Sequence, residues 1–261
     1  MKRPSLRERL QDGGPLYGLL SPDTDGALVE TVGLLGFDLF ILDTEHGPGG
    51  PREAEGFVRA CELVGMAPLV RPRGLDAKLI LQYLDAGMQG IMLPGVRSAE
   101  DVRQLVRAVK YPPEGLRGIA PVRANRWLLA GESQAAWVAR ANAETLVLPQ
   151  VETVEALSGL PEIVKVPGVD GVIIGPRDLS MAMGFHDGPG HPEVEGAIDR
   201  ITRTALAAGL LVGTVAATGE RARALVAQGH RIVLHSVGAL LKTGAEAFFA
   251  AATGQAGGVP Q

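Results

Sequence analysis

Four apolar runs in this chain end in reactive side chains. Asp38–Leu42 leads into Asp43-Thr44-Glu45-His46, and Ala67–Val70 into Arg71-Pro72. Thr145–Gln150 continues through Val151 to Glu152, and Gly171–Ile174 is followed by Gly175-Pro176-Arg177-Asp178. A solitary histidine is more often a hydrogen-bonded structural residue than a base. His46, however, stands beside two acids, and an imidazole flanked by carboxylates can take up a proton near neutral pH. Arg71 alone could be an ordinary salt-bridge partner; facing a site, its planar fork suits a carboxylate or an oxyanion. Glu152 and Asp178 could each cap a helix. Together they are two hard oxygen donors for a divalent cation (Mg, Mn or Co, with Zn as a further option) that leave positions for water and a chelating substrate.

Two further features bear on the chemistry. Asp85 stands at the end of a helical segment, Tyr83-Leu84-Asp85-Ala86-Gly87, where an acid opposes the helix dipole; the pattern shows a small cost without its reason. The lysines are Lys2, Lys78, Lys110, Lys165 and Lys242, and none follows an apolar run. An imine-forming lysine is therefore not expected, which leaves a metal to stabilise charge on the substrate.

These residues need a scaffold that gathers strand ends. The apolar runs Tyr17–Leu20, Asp38–Leu42, Ala67–Val70, Gly90–Leu93, Thr145–Gln150, Gly171–Ile174, Leu210–Thr214 and Arg231–His235 number eight and are nearly continuous in aliphatic residues, as in parallel strands buried on both faces. Between them lie helical patterns. Ser98 and Asp101 resemble a capping box ahead of Val102, Leu105, Val106 and Val109; Asp76 reads as an N-cap, and Gly87 and Gly229 as stops. Eight such alternations predict one α/β domain over 1–261, a single (β/α)8 TIM-type barrel, with active groups at the C-terminal strand ends. An open sheet is the alternative, because strand order is not written in the pattern. The stretch 111–137, carrying Arg117, Arg123, Arg126 and Trp127, exceeds a plain connection and reads as a lid, an intersubunit loop or a solvated basic loop. The Gly-rich tail 253–261 reads as frayed.

Composition narrows the class of function. The 261 residues carry a formal charge of −4, which gives no reason to expect nucleic acid or an anionic membrane surface as a partner. One cysteine, Cys61, excludes an intrachain disulfide and reads as a buried small hydrophobe. Without a signal-like N-terminus or a run of about 20 apolar residues, the chain reads as soluble and cytoplasmic.

The segments FDLFILDTEHGP, PLVRP, LDAGMQGIMLPGV, YPPEGLRG, LPQVET and GVIIGPRDLS occur in this order. They resemble the signatures of the HpcH/HpaI family of class II pyruvate aldolases, over roughly residues 14–250. The resemblance implies a phosphoenolpyruvate/pyruvate-type barrel that reversibly cleaves 4-hydroxy-2-oxo acids to pyruvate and an aldehyde, working as a homohexamer. It implies that His46 is the general base, acting through a water, and that Asp85 of a neighbouring subunit raises its basicity. It further implies that Arg71 stabilises the enolate oxygen, that Glu152 and Asp178 bind the metal, that Gln150 with backbone groups of Arg177 and Asp178 holds pyruvate, and that Val215 shapes the aldehyde pocket. The chain departs from relatives after His46, at Gly47-Pro48-Gly49-Gly50, and in a shorter Gly118–Trp127, both on the aldehyde side. Two rival functions have their own sequence marks. Gly213 stands near the end of the seventh run and Gly238 follows the eighth, where phosphate-binding barrels hold their ligand; an inactive binding subunit would not need the set His46, Arg71, Asp85, Glu152 and Asp178.

Overall fold

The apolar runs are strands, and they close on themselves. In the computed structural model, which describes residues 6–254, the strands are β1 (Leu16–Ser21), β2 (Leu39–Asp43), β3 (Ala67–Arg71), β4 (Gly90–Leu93), β5 (Leu146–Val151), β6 (Gly171–Ile174), β7 (Leu211–Val215) and β8 (Ile232–His235). They pair in parallel in sequential order, and β8 returns to β1. The open-sheet alternative is thereby excluded. The helices are α1 (Leu6–Gln11), α2 (Gly26–Leu34), α3 (Pro51–Leu63), α4 (Ala77–Ala86), α5 (Ala99–Val109) and α6 (Gln134–Glu144). They continue as α7 (Val154–Ile163), α8 (Pro176–Ala182), α9 (Pro192–Ala207), α10 (Gly219–Ala227) and α11 (Val237–Thr253).

Strand alternation divides the core into two layers. Phe40 and Leu42 of β2, Val147 and Val151 of β5, and Val172 and Ile174 of β6 face outward and pack with the helices. Leu39 and Ile41, Ala67 and Leu69, Leu146 and Leu148, and Ile173 face inward and fill the barrel with Met92, Ile232 and Leu234. Leu6 and Leu10 of α1 join this inner cluster and plug the N-terminal end, where Arg9 pairs with Asp38 at 2.9 Å and Arg231 donates to Leu10 O and Gly14 O. Nothing in the charged N-terminal sequence signalled that plug.

The same parity aims the site. Two residues past Ile41 comes Asp43, two past Leu69 comes Arg71, and two past Leu148 comes Gln150. Each therefore continues the inward track at the C-terminal mouth.

The helix signals hold in detail. Ser98 Oγ accepts from Asp101 N while Asp101 accepts from Ser98 N. Asp76 caps α4 through Lys78 N and Leu79 N, and Gly87 ends that helix at φ 112°. Residues 111–137 are more ordered than a bare loop. Arg123–Leu128 form a 3-10 stretch, with Arg126, Trp127 and Leu128 all at positive φ, and α6 begins at Gln134. The tail expectation falls mainly on 255–261, outside the described residues; Thr253 still closes α11 and Gly254 follows at φ 67°.

Candidate active site

At the mouth Arg71 is the hub. Its Nε and Nη2 reach the two oxygens of Asp43 at 3.0 and 2.6 Å, and its Nη1 lies 3.2 Å from Glu45. Arg71 and Asp43 are directly opposed in the β2–β3 register, so neighbouring inward positions produce the pair. Burial pushes the Asp43 carboxyl up, but bonding to Arg71 outweighs it and holds the group below the usual carboxylate range. Asp43 Oδ1 also accepts from the main-chain N–H of Glu45 and His46, which shapes the turn carrying His46. His46 itself is exposed, with Nε2 3.9 Å from Glu45. Arg73 ties the turn down from β3's side by donating to Thr44 O at 3.2 Å and Pro48 O at 3.3 Å.

Across the mouth Glu152 is buried. Its Oε1 accepts from Gly95 N at 2.8 Å, and its Oε2 accepts from the Gln150 amide. Burial pushes its carboxyl up to about 7, with Asp178 and Glu45 adding repulsion and the Gly95 N–H and Arg71 opposing it. The cradle is made by a missing side chain, since a Cβ at Gly175 would meet Glu152 Oε2 and lie 2.7 Å from Gln150 Nε2. Gln150 Oε1 is buried without a hydrogen bond among the described residues. Burial, with the charge of Asp178 adding to it, thus raises the cost of ionising Glu152, and the Gln150 amide beside it carries an unsatisfied acceptor. That donor set fits a hard divalent cation. Among the described residues no cluster of three His, Cys, Asp or Glu side chains adds further ligands. Neither carboxylate is a cap: Thr153 caps α7, Gly175 caps α8, and Asp178 lies in the first turn of α8.

Residues 16–243 match the model of the family described as HpcH/HpaI aldolase/citrate lyase. The chain belongs to that family. It is 40% identical over 220 residues to a hydroxypyruvate/pyruvate aldolase of Pseudomonas aeruginosa, which covers 84% of this chain and 81% of that one. It is 36% identical to a 4-hydroxy-2-oxo-heptane-1,7-dioate aldolase of Shigella sonnei, covering 94% of each. A crystal structure of an HpcH/HpaI aldolase from Desulfitobacterium hafniense superposes with a TM-score of 0.89 at 30% identity, over 99% of this chain and 100% of that one. This member of the HpcH/HpaI family is accordingly an aldolase, a carbon–carbon lyase.

The fold brings most of the sequence candidates together. Glu45 and Glu152 each interact electrostatically with Arg71 and Asp178, and Glu45 links them to His46. Arg177 and Asp178 are exposed in the first turn of α8, and Val215 ends β7 on the inward track, 39% exposed. Asp85 does not join them within the protomer. It bonds to Arg117 at 2.9 Å and lines a separate cleft with Pro51, Arg52, Glu55 and Trp127. Asp43 and Glu45, which the sequence offers only as neighbours of His46, are the partners that hold Arg71; the two-residue parity of β2 is the signal that points to this. Gly213 is not a phosphate loop, because Ile173 and Ile232 occupy the space beside its Cα. Lys110, though buried, is bonded to the carbonyls of Asn142 and Thr145 ahead of β5, away from the mouth.

Proposed function

We propose that this aldolase reversibly cleaves 4-hydroxy-2-oxo acids to pyruvate and an aldehyde, using a divalent cation held by Glu152 and Asp178. The observation that carries this reading is the Glu152 cradle: a carboxyl raised mainly by burial, with the charge of Asp178 adding to it, beside an arginine already anchored by two acids. Its donors are oxygens, which suits Mg, Mn or Co and also accommodates Zn. When bound, such a cation supplies Lewis acidity to the keto and carboxylate oxygens of the pyruvate half.

The protein groups do the rest. His46, exposed at the mouth, takes the proton of the 4-hydroxyl, directly or through one water. As the C3–C4 bond breaks, its electron pair moves into the pyruvate half, and Arg71, fixed by Asp43 and Glu45, faces the oxygen that gains charge. Gln150 forms part of the floor, and the main-chain N–H groups of Arg177 and Asp178, in the first turn of α8, receive the carboxylate. Val215 borders the aldehyde side. Asp85 would serve the His46 of a second copy, so the enzyme works as a homo-oligomer, with a hexamer as the assembly. The partners are small molecules, and the site belongs in the cytoplasm. Among the described residues no helix is long and apolar enough to cross a membrane.

The test is pyruvate release from a 4-hydroxy-2-oxo acid before and after exhaustive chelation. Activity should vanish with EDTA and return with Mn²⁺, Co²⁺ or Mg²⁺; turnover that survives complete metal removal overturns the reading.

A further inference from the structure

The segment YPPEGLRG is not part of the barrel mouth, yet it builds a specific internal structure. Gly115 N donates to Tyr111 O, Leu116 N to Arg107 O and Arg117 N to Lys110 O, folding the chain back onto the end of α5. Only glycine permits this at 115, because a Cβ there would lie 2.8 Å from the Lys110 carbonyl carbon and 2.9 Å from Arg107 O. Asn142 locks the fold from α6, accepting from Tyr111 N at 2.7 Å and donating to Tyr111 O at 3.0 Å. Trp137 Nε1 holds the Tyr111 hydroxyl at 3.3 Å. The product of these contacts is the placement of one side chain. Arg117, 2% exposed, lays its guanidinium over the Tyr111 ring at 4.5 Å and donates from Nη2 to Asp85 Oδ1 at 2.9 Å.

As a stabilising device this is poor. A buried ion pair roughly cancels its own desolvation cost, and Arg117 Nε is buried with no hydrogen bond among the described residues. What the arrangement does provide is orientation. Oδ1 of Asp85 is held from inside the protein, and Oδ2, with no hydrogen bond among the described residues, is left for the cleft of about 410 Å³ that Asp85 lines. We propose that Arg117 is a positioning residue for the reaction, fixing the Asp85 carboxylate as an outward-facing acceptor for an imidazole. This rests on the reading that Asp85 serves the His46 of a second copy. It also gives the long connection after α5 a function.

Charge follows geometry. Burial pushes the Asp85 carboxyl up, and the bond and charge of Arg117 oppose that. The other charged groups around the cleft are Arg52 and Glu55 of α3 and Arg123, which donates to Ala86 O. Removing Arg117 leaves desolvation less opposed, so Asp85 should ionise at higher pH.

The experiment compares pH profiles of kcat/KM for aldol cleavage, at saturating divalent cation, in wild type, Arg117→Met, Arg117→Lys and Asp85→Asn. For Arg117→Met the acid limb should move up by about one pH unit, with about a tenfold loss below it and recovery at higher pH. Arg117→Lys keeps the charge but not the planar fork, and should fall between Met and wild type. An unmoved acid limb in Arg117→Met, or an Arg117→Lys enzyme identical to wild type in both kcat and limb, overturns the proposal. If Asp85→Asn behaves as wild type, the underlying reading of Asp85 fails. If Asp85→Asn is impaired while the Arg117 profiles are unchanged, only the role of Arg117 fails.

Discussion

Arg71 spends Nε, Nη1 and Nη2 on two acids, which fixes its plane before any substrate arrives. A lysine there would keep the charge and lose the fork. Arg71→Lys should therefore lower kcat for aldol cleavage by roughly 10²-fold or more; steady-state turnover near wild type would remove Arg71 from charge stabilisation. Glu152 gives a second prediction, read from stability. Its carboxyl sits near 7 in the folded protein against 4.5 as the ordinary value, mainly through burial. The native state therefore binds more protons than the unfolded chain across that interval, and stability falls as pH rises through it. For the cation-free enzyme the loss attributable to this group approaches roughly 3 kcal/mol. Thermal melts in EDTA across that pH range should show a decline in wild type that Glu152→Gln largely abolishes; parallel curves would show that Glu152 is not strained by ionisation.

At the scale of elements, strand existence and type were legible because both faces of each strand are buried, which makes each a continuous apolar run. Asp38–Leu42 was expected and Leu39–Asp43 is found, a shift of one residue. The caps at Asp76 and Ser98 were legible because cap chemistry is local. The closed barrel was legible from the count of eight alternations, though strand order was not; the plug was not legible, since α1 buries only Leu6 and Leu10 among charged neighbours. The pairing of Asp85 with Arg117 spans 32 positions, and no local pattern reports a contact at that distance. The odd placement of an acid at a helix end was its only trace. Gly175 shows how an element boundary serves the site. Its φ of −98° suits any residue, so the backbone does not require glycine; the neighbouring carboxylate does. Gly175→Ala should fold normally yet raise the divalent-cation concentration needed for half activation by about 10–100-fold, measured by titrating Mn²⁺ into the apo-enzyme. An unchanged activation curve would mean that the cradle has slack.

At the scale of the whole molecule, several large apolar side chains stay exposed. In α11 only Val237 is buried, and Leu241 and Phe248 are each 66% exposed; Trp127 and Leu129 of the long connection are 52% and 85% exposed. Surfaces of this kind suit association, and the proposed pairing of Asp85 with the His46 of a second copy requires it. In a symmetric assembly each site would take its histidine from one copy and its aspartate from another. On that reading, two singly disabled enzymes, His46→Ala and Asp85→Asn, would each lack one half of every site. Random assembly in equal amounts leaves about one quarter of sites with both halves intact, because each half is present with a probability of about one half. Co-expression should accordingly return about a quarter of wild-type turnover, whereas mixing two assembled variants that do not exchange subunits should return none. If co-expressed hetero-oligomers, isolated through two different tags, show only the sum of the parental activities, the two residues do not meet across an interface. Asp85 would then have to act through the protomer that carries it.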